Sequence, residues 1–334
     1  MHKTGTTSVQ QTLVRNAKNL EELGYRVFVN LPEMNAKNTE CFNPAWLRDQ
    51  VKVAEKHGLH AIIFSAEVIS TFNSKQLNNL LEAFYDYEVN IIACFRHWVG
   101  FLPSRWAQNC FRRDAQSFPA YLSNLRNHEK IHIDARFDLI IRRMIAANPY
   151  NIRLISYDNA VVLGALLPTI LSAFDLPQNF VNNIQESSRR YNTSKDAETV
   201  ELVRLFNGIY SIRNALETNG LFMALLYAIP VGEVYDFSRK IGNILQDHKK
   251  LQKQLLDIVN EKRTKILLSR KDSSIARWEK MTEEAAGSFI INPQQSKLFC
   301  DIPDTEVICS EIEADDLPVS IQEEMAAAFG IGES

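Results

Sequence analysis

The chain has 334 residues, of which 46% are hydrophobic, so it can bury a large core as one α/β domain or as a domain with an appended helical part. Its formal net charge is only −3, with both signs interspersed, which argues against an extended nucleic-acid-binding surface. The five cysteines form no C-x-x-C pair and no pattern with histidine, so neither a zinc site nor a disulfide framework is indicated, and a reduced cytoplasm is the expected location. The longest apolar run, Leu221–Ile229, is too short to span a bilayer, and no signal peptide is visible.

The first thirteen residues have the composition of an anion-binding loop at the start of a helix. Gly5 stands among small hydroxyl residues, Lys3 precedes it, and apolar residues follow at helical spacing at Val9 and Leu13. The hydroxyl donors are Thr4, Thr6, Thr7 and Ser8. Helix N-termini present unpaired N–H groups with partial positive charge, and a glycine lets a ligand approach the backbone closely. The segment therefore predicts a phosphate cradle, although a Thr/Ser-capped helix after an unstructured start is the simpler alternative.

The elements that follow alternate between helices and strands. Apolar residues at helical spacing predict the helices, and short β-branched or continuously apolar runs predict the strands. In chain order we predict a helix at Ser8–Leu23, a strand at Tyr25–Asn30, a helix at Pro44–His57, a strand at His60–Ser65, a helix at Ser74–Tyr87, a strand at Asn90–Phe95, a helix at Ala135–Ala147, a strand at Asn151–Ser156 and a helix at Val161–Phe174. This order implies βαβ units with a parallel sheet, so ligand-binding residues are expected at the carboxyl ends of strands.

Polar residues follow two of the predicted strand ends. Glu67 comes just past the strand that ends near Ser65, and Arg96 stands at the tip of the next strand, with Ser104 eight residues later. An arginine fork can hold a phosphate bidentately, and a serine hydroxyl can donate to the same group. Taken singly, Glu67 would be a first-turn acid of a helix and Arg96 a surface arginine paired with an acid.

The carboxyl half carries weaker signals. Phe237–Leu268 has leucine and isoleucine at helical spacing amid many charged residues, which predicts a long amphipathic helix that packs on the core or on another subunit of a homo-oligomer. The basic residues of 262–271 are typical of a solvated face, although they could bind an anionic acceptor. The tail, residues 298–334, shows no chemical motif. We therefore expect a core over residues 1–232 and a helical extension packed on it over residues 233–334.

Two segments resemble one protein family. His2–Ser8, which reads His-Lys-Thr-Gly-Thr-Thr-Ser, resembles the 5′-phosphosulfate loop of sulfotransferases that use 3′-phosphoadenosine 5′-phosphosulfate (PAPS), particularly bacterial members that read HKTGTTS. The spacing from Arg96 to Ser104 resembles the family's 3′-phosphate segment, whereas the following residues to Gln108 keep its pattern less closely. The P-loop of nucleotide triphosphatases differs, because its lysine follows the second glycine.

The resemblance covers residues 1 to about 177 and implies a P-loop three-layer fold with a central parallel sheet flanked by helices. In the family a short apolar strand precedes the loop, so we expect the chain to be truncated at its amino end. The implied reaction is transfer of a sulfuryl group from PAPS to an acceptor hydroxyl or amine, with no metal. A saccharide or cell-surface precursor would suit as acceptor, and so would a small alcohol.

The resemblance also implies roles for single residues. The cofactor-binding set is Lys3, Thr4, Gly5, Thr6, Thr7, Ser8, Arg96 and Ser104. In this interpretation Lys3 also neutralises charge on the bridging oxygen, and Glu67 is the first choice as general base. His97 and His2 are the alternatives, because imidazole titrates near neutral pH.

Two other functional classes stay open. A P-loop kinase would need a magnesium-binding carboxylate at a strand end and a lysine after the glycine. A non-catalytic nucleotide-binding or interaction protein would need only the cradle.

Overall fold

The computed structural model describes residues 6–29, 45–112, 114–184, 196–218, 241, 243–290, 297–299 and 302–329. The chain divides into two compact units, and each unit draws on three stretches of sequence. The first unit comprises Met1–Trp98, Glu129–Thr193 and Arg270–Pro303, and the second comprises Val99–His128, Ser194–Ser269 and Asp304–Ser334. The predicted domain boundary between residues 232 and 233 lies outside the described residues.

The described strands form three two-stranded sheets. They are β1 (Tyr25–Val29), β2 (Ala61–Ser65), β3 (Asn90–Phe95), β4 (Asn151–Ser156), β5 (Arg263–Leu268) and β6 (Thr305–Ser310). In the first unit β1 pairs with β2 and β3 with β4, both in parallel, whereas β5 and β6 pair antiparallel in the second unit. The mixed α/β class and the four parallel strands predicted from apolar runs are therefore confirmed.

Helices make up most of the remaining described chain. The α-helices are α1 (Thr6–Arg15), α2 (Ala17–Glu22), α3 (Ala45–Lys56), α4 (Ser74–Glu82), α5 (Trp98–Cys110), α6 (Phe118–Asn127), α7 (Phe137–Ala146), α8 (Tyr157–Val162), α9 (Leu166–Ser172), α10 (Gln178–Asn183), α11 (Ala197–Thr218), α12 (Lys249–Glu261), α13 (Ser273–Ala286) and α14 (Val319–Phe329). Short 3₁₀ helices lie at Glu67–Thr71, Gly287–Phe289 and Ala314–Asp316. Within the described ranges, no helix combines the length and the apolar character needed to cross a membrane.

The helix predicted at Ser8–Leu23 forms in two pieces, α1 and α2, which meet at Asn16. The Asn16 side chain donates to the Thr12 carbonyl (2.9 Å), and asparagine competes in this way with regular helical bonding. After α2 the chain turns at Gly24, whose φ of +86° is a conformation that glycine adopts freely. A Cβ at Gly24 would meet the His60 ring at 2.2 Å, so a side chain does not fit at this turn.

Both faces of β3 are covered by helices in the first unit. Cys94 belongs to an apolar cluster that joins α1, α9 and strands β2 to β4. Its buried members include Val9, Leu13, Ile63, Ile155, Ile170 and Leu171. The neighbouring Phe95 instead contacts Phe137 of α7, with ring centroids 5.6 Å apart. A strand covered on both faces is continuously apolar, as the sequence of β3 is.

Trp98 is the centre of an aromatic cluster in the same unit. Its ring is fully buried and stacks on Phe137 with centroids 4.6 Å apart and an interplanar angle of 18°. Trp278 of α13 and Phe299 also pack against it, at centroid distances of 6.1 and 5.5 Å. The indole N–H donates to the Asp134 carbonyl at 3.1 Å, so the polar atom of the ring is satisfied in the interior.

The second unit is organised around a buried arginine, Arg204 of α11, which is 1% exposed. Its Nε donates to Glu201 at 2.8 Å, and one terminal nitrogen donates to Glu313 at 2.9 Å and to the Ala115 carbonyl at 3.1 Å. The other terminal nitrogen donates to the Ile312 carbonyl. A buried charge is tolerated when it is paired and hydrogen-bonded, and this one is held by four residues from three segments of the unit.

Cysteines are buried in both units. Cys94 lies in the apolar cluster of the first unit, and Cys110 and Cys309 are buried in the second. Burial raises the pKa of the Cys110 thiol well above its usual range, and it raises the pKa of Cys309 as well.

The carboxyl half differs from the helix that we predicted at Phe237–Leu268. α12 forms within that range, but the last six residues of the range, 263–268, form β5, which pairs with β6. Thr264 and Ile266 of β5 are half-buried and alternate with exposed residues, which is the period of a strand rather than that of a helix. The helix predicted at Phe237–Leu268 is therefore wrong for its last six residues.

Candidate functional site

The start of α1 lies at the carboxyl end of β2. The Gln10 side-chain amide donates to the Ser65 carbonyl at 3.1 Å, and Gln10 is itself buried. Thr6–Ser8 form the first turn of α1, where helix N–H groups have no partner within the helix. Lys3, Thr4 and Gly5, and the alternative base His2, lie outside the described residues.

Glu67 lies at the same end of β2. It is half-buried at the start of the 3₁₀ helix that follows β2, and its carbonyl accepts a hydrogen bond from the Ser70 hydroxyl at 2.8 Å. Glu67, Gln10 and Ser65 line one cavity. The structure thus brings the predicted base and the start of α1 to the same strand end, and we call Thr6–Ser8, Gln10, Ser65 and Glu67 the α1 group.

A second group forms where β3 and β4 end. Because Phe95 pairs in register with Ser156, Arg96 and Tyr157 follow side by side, and the Arg96 guanidinium carbon lies 5.1 Å from the centroid of the Tyr157 ring. The Nε atom of Arg96 is buried and has no hydrogen-bond partner among the described residues. A buried donor without an acceptor is unfavourable, so this guanidinium fits an anionic oxygen. We call Arg96, Tyr157 and Asp158 the Arg96 group.

Asp158, which we did not predict as a site residue, completes the Arg96 group. One of its carboxylate oxygens accepts the backbone N–H of His97 at 2.6 Å. Burial raises the pKa of Asp158, while the His97 N–H and the positive charge of Arg96 act in the opposite direction. The signal available in the sequence was the same as for Glu67, namely an acid just past a strand.

His97 is buried more deeply than a general base that an acceptor has to reach. Its side chain is fully buried, and its Nε2 lies 3.2 Å from a carboxylate oxygen of Glu279. The imidazole meets the rings of Trp98 and Phe299 edge to face, at centroid distances of 5.6 and 5.2 Å. These contacts give His97 a structural role in joining β3 to α13.

Glu279 is the acidic centre of that contact, and no local pattern marked it. The Arg270 guanidinium donates to both of its carboxylate oxygens, with Nε at 3.0 Å. Burial alone would raise the pKa of Glu279, but hydrogen bonds from His97 and Arg270 and the charges of these residues hold it at about 2 instead of 4.5.

This depressed pKa predicts a pH-dependent contribution to stability. A carboxylate with a folded-state pKa below its unfolded value stabilises the fold above the unfolded pKa, and the contribution is lost as the pH falls through the folded one. We therefore expect Glu279→Gln to lower the free energy of unfolding most above about pH 4.5, with the difference from the parent shrinking toward pH 2. Urea titrations at a series of pH values measure it.

The control for this prediction is Glu284→Gln, since Glu284 is an exposed residue of the same helix. It should change stability little at any pH. A Glu279→Gln difference that is constant from pH 7 to pH 2 would contradict the assignment of the ion pair.

Ser104 lies on α5 and is half-buried. It belongs to the second unit, whereas Arg96 belongs to the first. A phosphate site shared by these two residues therefore stays a prediction. Among the described residues, no cluster of three or more His, Cys, Asp or Glu side chains is placed to hold a metal ion.

Comparison with known proteins adds no family assignment. No family model, no curated protein and no solved structure matches this chain. The residues of the α1 group and the Arg96 group are therefore the basis for a functional assignment.

Proposed function

We propose that this protein is a PAPS-dependent sulfotransferase that transfers a sulfuryl group to an acceptor hydroxyl or amine. The observation that carries the proposal is Arg96, which follows a parallel strand, lies over Tyr157 and has a buried donor that meets no acceptor in the described part of the chain. A cation at a strand end can hold a 3′-phosphate, which ATP lacks, through charge-assisted hydrogen bonds. The resemblance of His2–Ser8 to a phosphosulfate loop supplies the other end of the same ligand.

In this proposal catalysis is positioning and charge stabilisation. The start of α1 and the loop before it hold the 5′-phosphate, and Arg96 holds the 3′-phosphate. The bond between sulfur and the phosphate oxygen breaks while the acceptor oxygen or nitrogen bonds to sulfur, and Lys3 neutralises the charge left on the bridging oxygen. The acceptor's proton passes to Glu67.

The choice of Glu67 over His97 as base is supported by burial. Glu67 is half-buried and lines a cavity, so an acceptor can reach it. The His97 ring is enclosed by aromatic side chains and bonded to Glu279. A base must come within hydrogen-bond reach of the proton that it accepts, which the surroundings of Glu67 allow.

The proposed fold is the P-loop three-layer arrangement with one central parallel sheet. Two parallel strand pairs within one unit, and helices on both faces of β3, support it. A saccharide-type acceptor and a cytoplasmic location remain parts of the proposal.

The first test measures binding of adenosine 3′,5′-bisphosphate by isothermal titration. We expect Arg96→Gln to weaken binding by about 10- to 150-fold, because a hydrogen bond to a charged group contributes about 1.5–3 kcal/mol and 1.4 kcal/mol is a factor of ten. Arg142→Gln is the control, since Arg142 is an exposed arginine of α7 in the same unit.

The ligand comparison separates the functional classes. The parent should bind adenosine 3′,5′-bisphosphate more tightly than ATP with magnesium. Tighter binding of ATP with magnesium would favour a kinase, and equal affinities of the parent and Arg96→Gln would remove Arg96 from the site.

The second test separates binding from chemistry at Glu67. We expect Glu67→Gln to retain bisphosphate affinity and to lose about 10²- to 10⁴-fold in turnover of sulfur-labelled PAPS with an acceptor panel, the usual contribution of a general base. An unchanged turnover number would exclude Glu67 as the base. If the parent binds the bisphosphate but transfers no label to any acceptor, the non-catalytic alternative is favoured.

A further inference from the structure

Asp158 holds the backbone of the residue that follows Arg96. The paired residues of β3 and β4 end with Phe95 and Ser156, so Arg96 stands one residue beyond the ladder of backbone hydrogen bonds. At that point a carboxylate oxygen of Asp158 accepts the N–H of His97 at 2.6 Å, from 61 residues away in the sequence. A hydrogen bond to an ionised acceptor is short and stronger than a neutral one. A side chain of α8 therefore continues the connection between the two strand ends where the backbone pairing stops.

The side chain of His97 is fixed independently of Asp158. Its ring is fully buried, its Nε2 lies 3.2 Å from a carboxylate oxygen of Glu279, and two aromatic rings meet it edge to face. His97 is thus anchored through its ring by α13 and through its N–H by α8. Because both groups are held, the peptide group that joins Arg96 to His97 has a defined orientation.

The simplest explanation of Asp158 is that it stabilises the start of α8, and its contacts go beyond that role. Asp158 is the second residue of α8, where a negative charge favours the positive end of the helix. The Ser156 hydroxyl already accepts the Asn159 N–H and so caps this helix. The carboxylate of Asp158 reaches an N–H that follows β3, so its position also serves the strand end that carries Arg96.

Arg96 has the features of a side chain whose orientation matters. Arg96 is half-buried, its guanidinium lies against the Tyr157 ring, and its buried Nε meets no acceptor in the described part of the chain. Burial raises the pKa of Asp158, whereas the His97 N–H and the positive charge of Arg96 lower it, so the carboxylate also interacts with the guanidinium. Bidentate binding of a phosphate depends on the orientation of the planar guanidinium, so a misplaced Arg96 would bind it poorly.

We propose that Asp158 is a positioning residue for Arg96: its carboxylate fixes the peptide group between Arg96 and His97 and thereby orients the guanidinium toward the 3′-phosphate. This inference rests on the proposed function for the identity of the phosphate, and on the contacts above for the role of Asp158. Asp158 itself makes no contact with the ligand in this proposal. The role requires an acceptor oxygen rather than a charge, so an amide at the same position should replace the carboxylate.

The first experiment measures binding of adenosine 3′,5′-bisphosphate and of adenosine 5′-monophosphate to the full chain by isothermal titration. The two ligands differ only in the 3′-phosphate, so the ratio of their affinities reports on Arg96. We expect Asp158→Leu to lower this ratio by about tenfold or more, because a misplaced group can cost about 10²-fold, and to change monophosphate affinity by less than about threefold. Asp158→Asn should keep the ratio within about threefold of the parent's, because the amide oxygen still accepts the His97 N–H.

Two further variants complete this experiment. In the Arg96→Gln background, Asp158→Leu should change the ratio no further, because the two residues act through the same guanidinium. Asp49→Leu is the control for loss of a negative charge, since Asp49 is an exposed acid of α3 in the same unit. It should leave both affinities unchanged.

The outcomes separate this inference from the proposed function. A parent that does not prefer the bisphosphate would overturn the proposed function. A preference that Arg96→Gln removes and Asp158→Leu keeps would overturn the role of Asp158 alone. Equal losses of affinity for both ligands in Asp158→Leu would show a general structural role and contradict the proposal. An Asp158→Asn variant as impaired as Asp158→Leu would contradict it too, since the charge would then matter more than the acceptor.

The second experiment observes Arg96 in the ligand-free chain, by nitrogen-15 NMR of the arginine side chains. The Nε–H signal of Arg96 is identified by its loss in Arg96→Gln. We expect this signal to stand apart from those of exposed arginines in the parent and in Asp158→Asn, because the Nε is buried, and to move toward them in Asp158→Leu. An unchanged signal in Asp158→Leu would overturn the positioning role, whichever nucleotide the parent prefers.

Discussion

Replacing Arg204 by methionine is expected to lower the free energy of unfolding by about 3–5 kcal/mol, the usual cost of removing one partner from a buried ion pair. The Glu201 carboxylate, 2% exposed, would lose its counter-charge. The buried carbonyl of Ile312 would lose its donor at the same time. Methionine fills much of the space that arginine occupied. The lost stability therefore comes mainly from the unpaired Glu201 carboxylate and Ile312 carbonyl rather than from a cavity.

Urea titration measures this loss, and an exposed ion pair of the same unit provides the control. Lys265 lies 3.0 Å from Glu306, with the two side chains 65% and 49% exposed. Lys265→Ala should cost less than about 1 kcal/mol, as exposed pairs do. Similar costs for Lys265→Ala and Arg204→Met would mean that Arg204 is not held as described.

Replacing Trp98 by alanine is expected to cost about 3–5 kcal/mol, the range found for deleting a buried aromatic ring. The indole is fully buried against Phe137, Trp278 and Phe299, so its removal leaves a cavity that these large rings cannot close without leaving their present contacts. The Asp134 carbonyl also loses its donor.

Trp98→Phe separates these two contributions. Phenylalanine can still stack on Phe137 but cannot donate to Asp134, so this variant should cost about 1–3 kcal/mol, the penalty for an unsatisfied polar group. Urea titrations of both variants compare the losses. If Trp98→Phe were as costly as Trp98→Ala, the hydrogen bond rather than the ring packing would dominate.

Local patterns were sufficient for the parallel strands of the first unit. The runs Asn90–Phe95 and Asn151–Ser156 are the strands β3 and β4 with the predicted bounds. A strand buried on both faces needs an unbroken apolar run, so its composition is visible without knowledge of its partner.

The antiparallel pair of the second unit was missed for the opposite reason. β5 follows α12 after a single residue, and its leucine and isoleucine continue the helical pattern closely enough to hide the change of period. Its partner β6 begins 37 residues after β5 ends, so the pairing that stabilises both strands is invisible to a local window.

The residues of the candidate site also divide into those that a local pattern predicts and those that only tertiary contacts bring together. Arg96 and Glu67 were predicted as site residues because each follows a strand that the sequence predicts. Asp158 also follows a predicted strand, but its contact with the His97 N–H spans 61 residues and the contact of Glu279 with the His97 ring spans 182, so only the folded chain shows these pairings. Such pairs depend on tertiary contacts, which a single sequence does not encode in any local pattern.

The rate at which the buried cysteines are alkylated would report how often the structure around them opens. Thiolates, not thiols, react with alkylating reagents, so the raised pKa values of Cys110 and Cys309 and the burial of all three described cysteines keep them inert while the fold is closed. Reagent reaches them only when the surrounding structure opens. Cys94 belongs to the first unit, and Cys110 and Cys309 belong to the second. The order in which these cysteines are alkylated would therefore show which unit opens first.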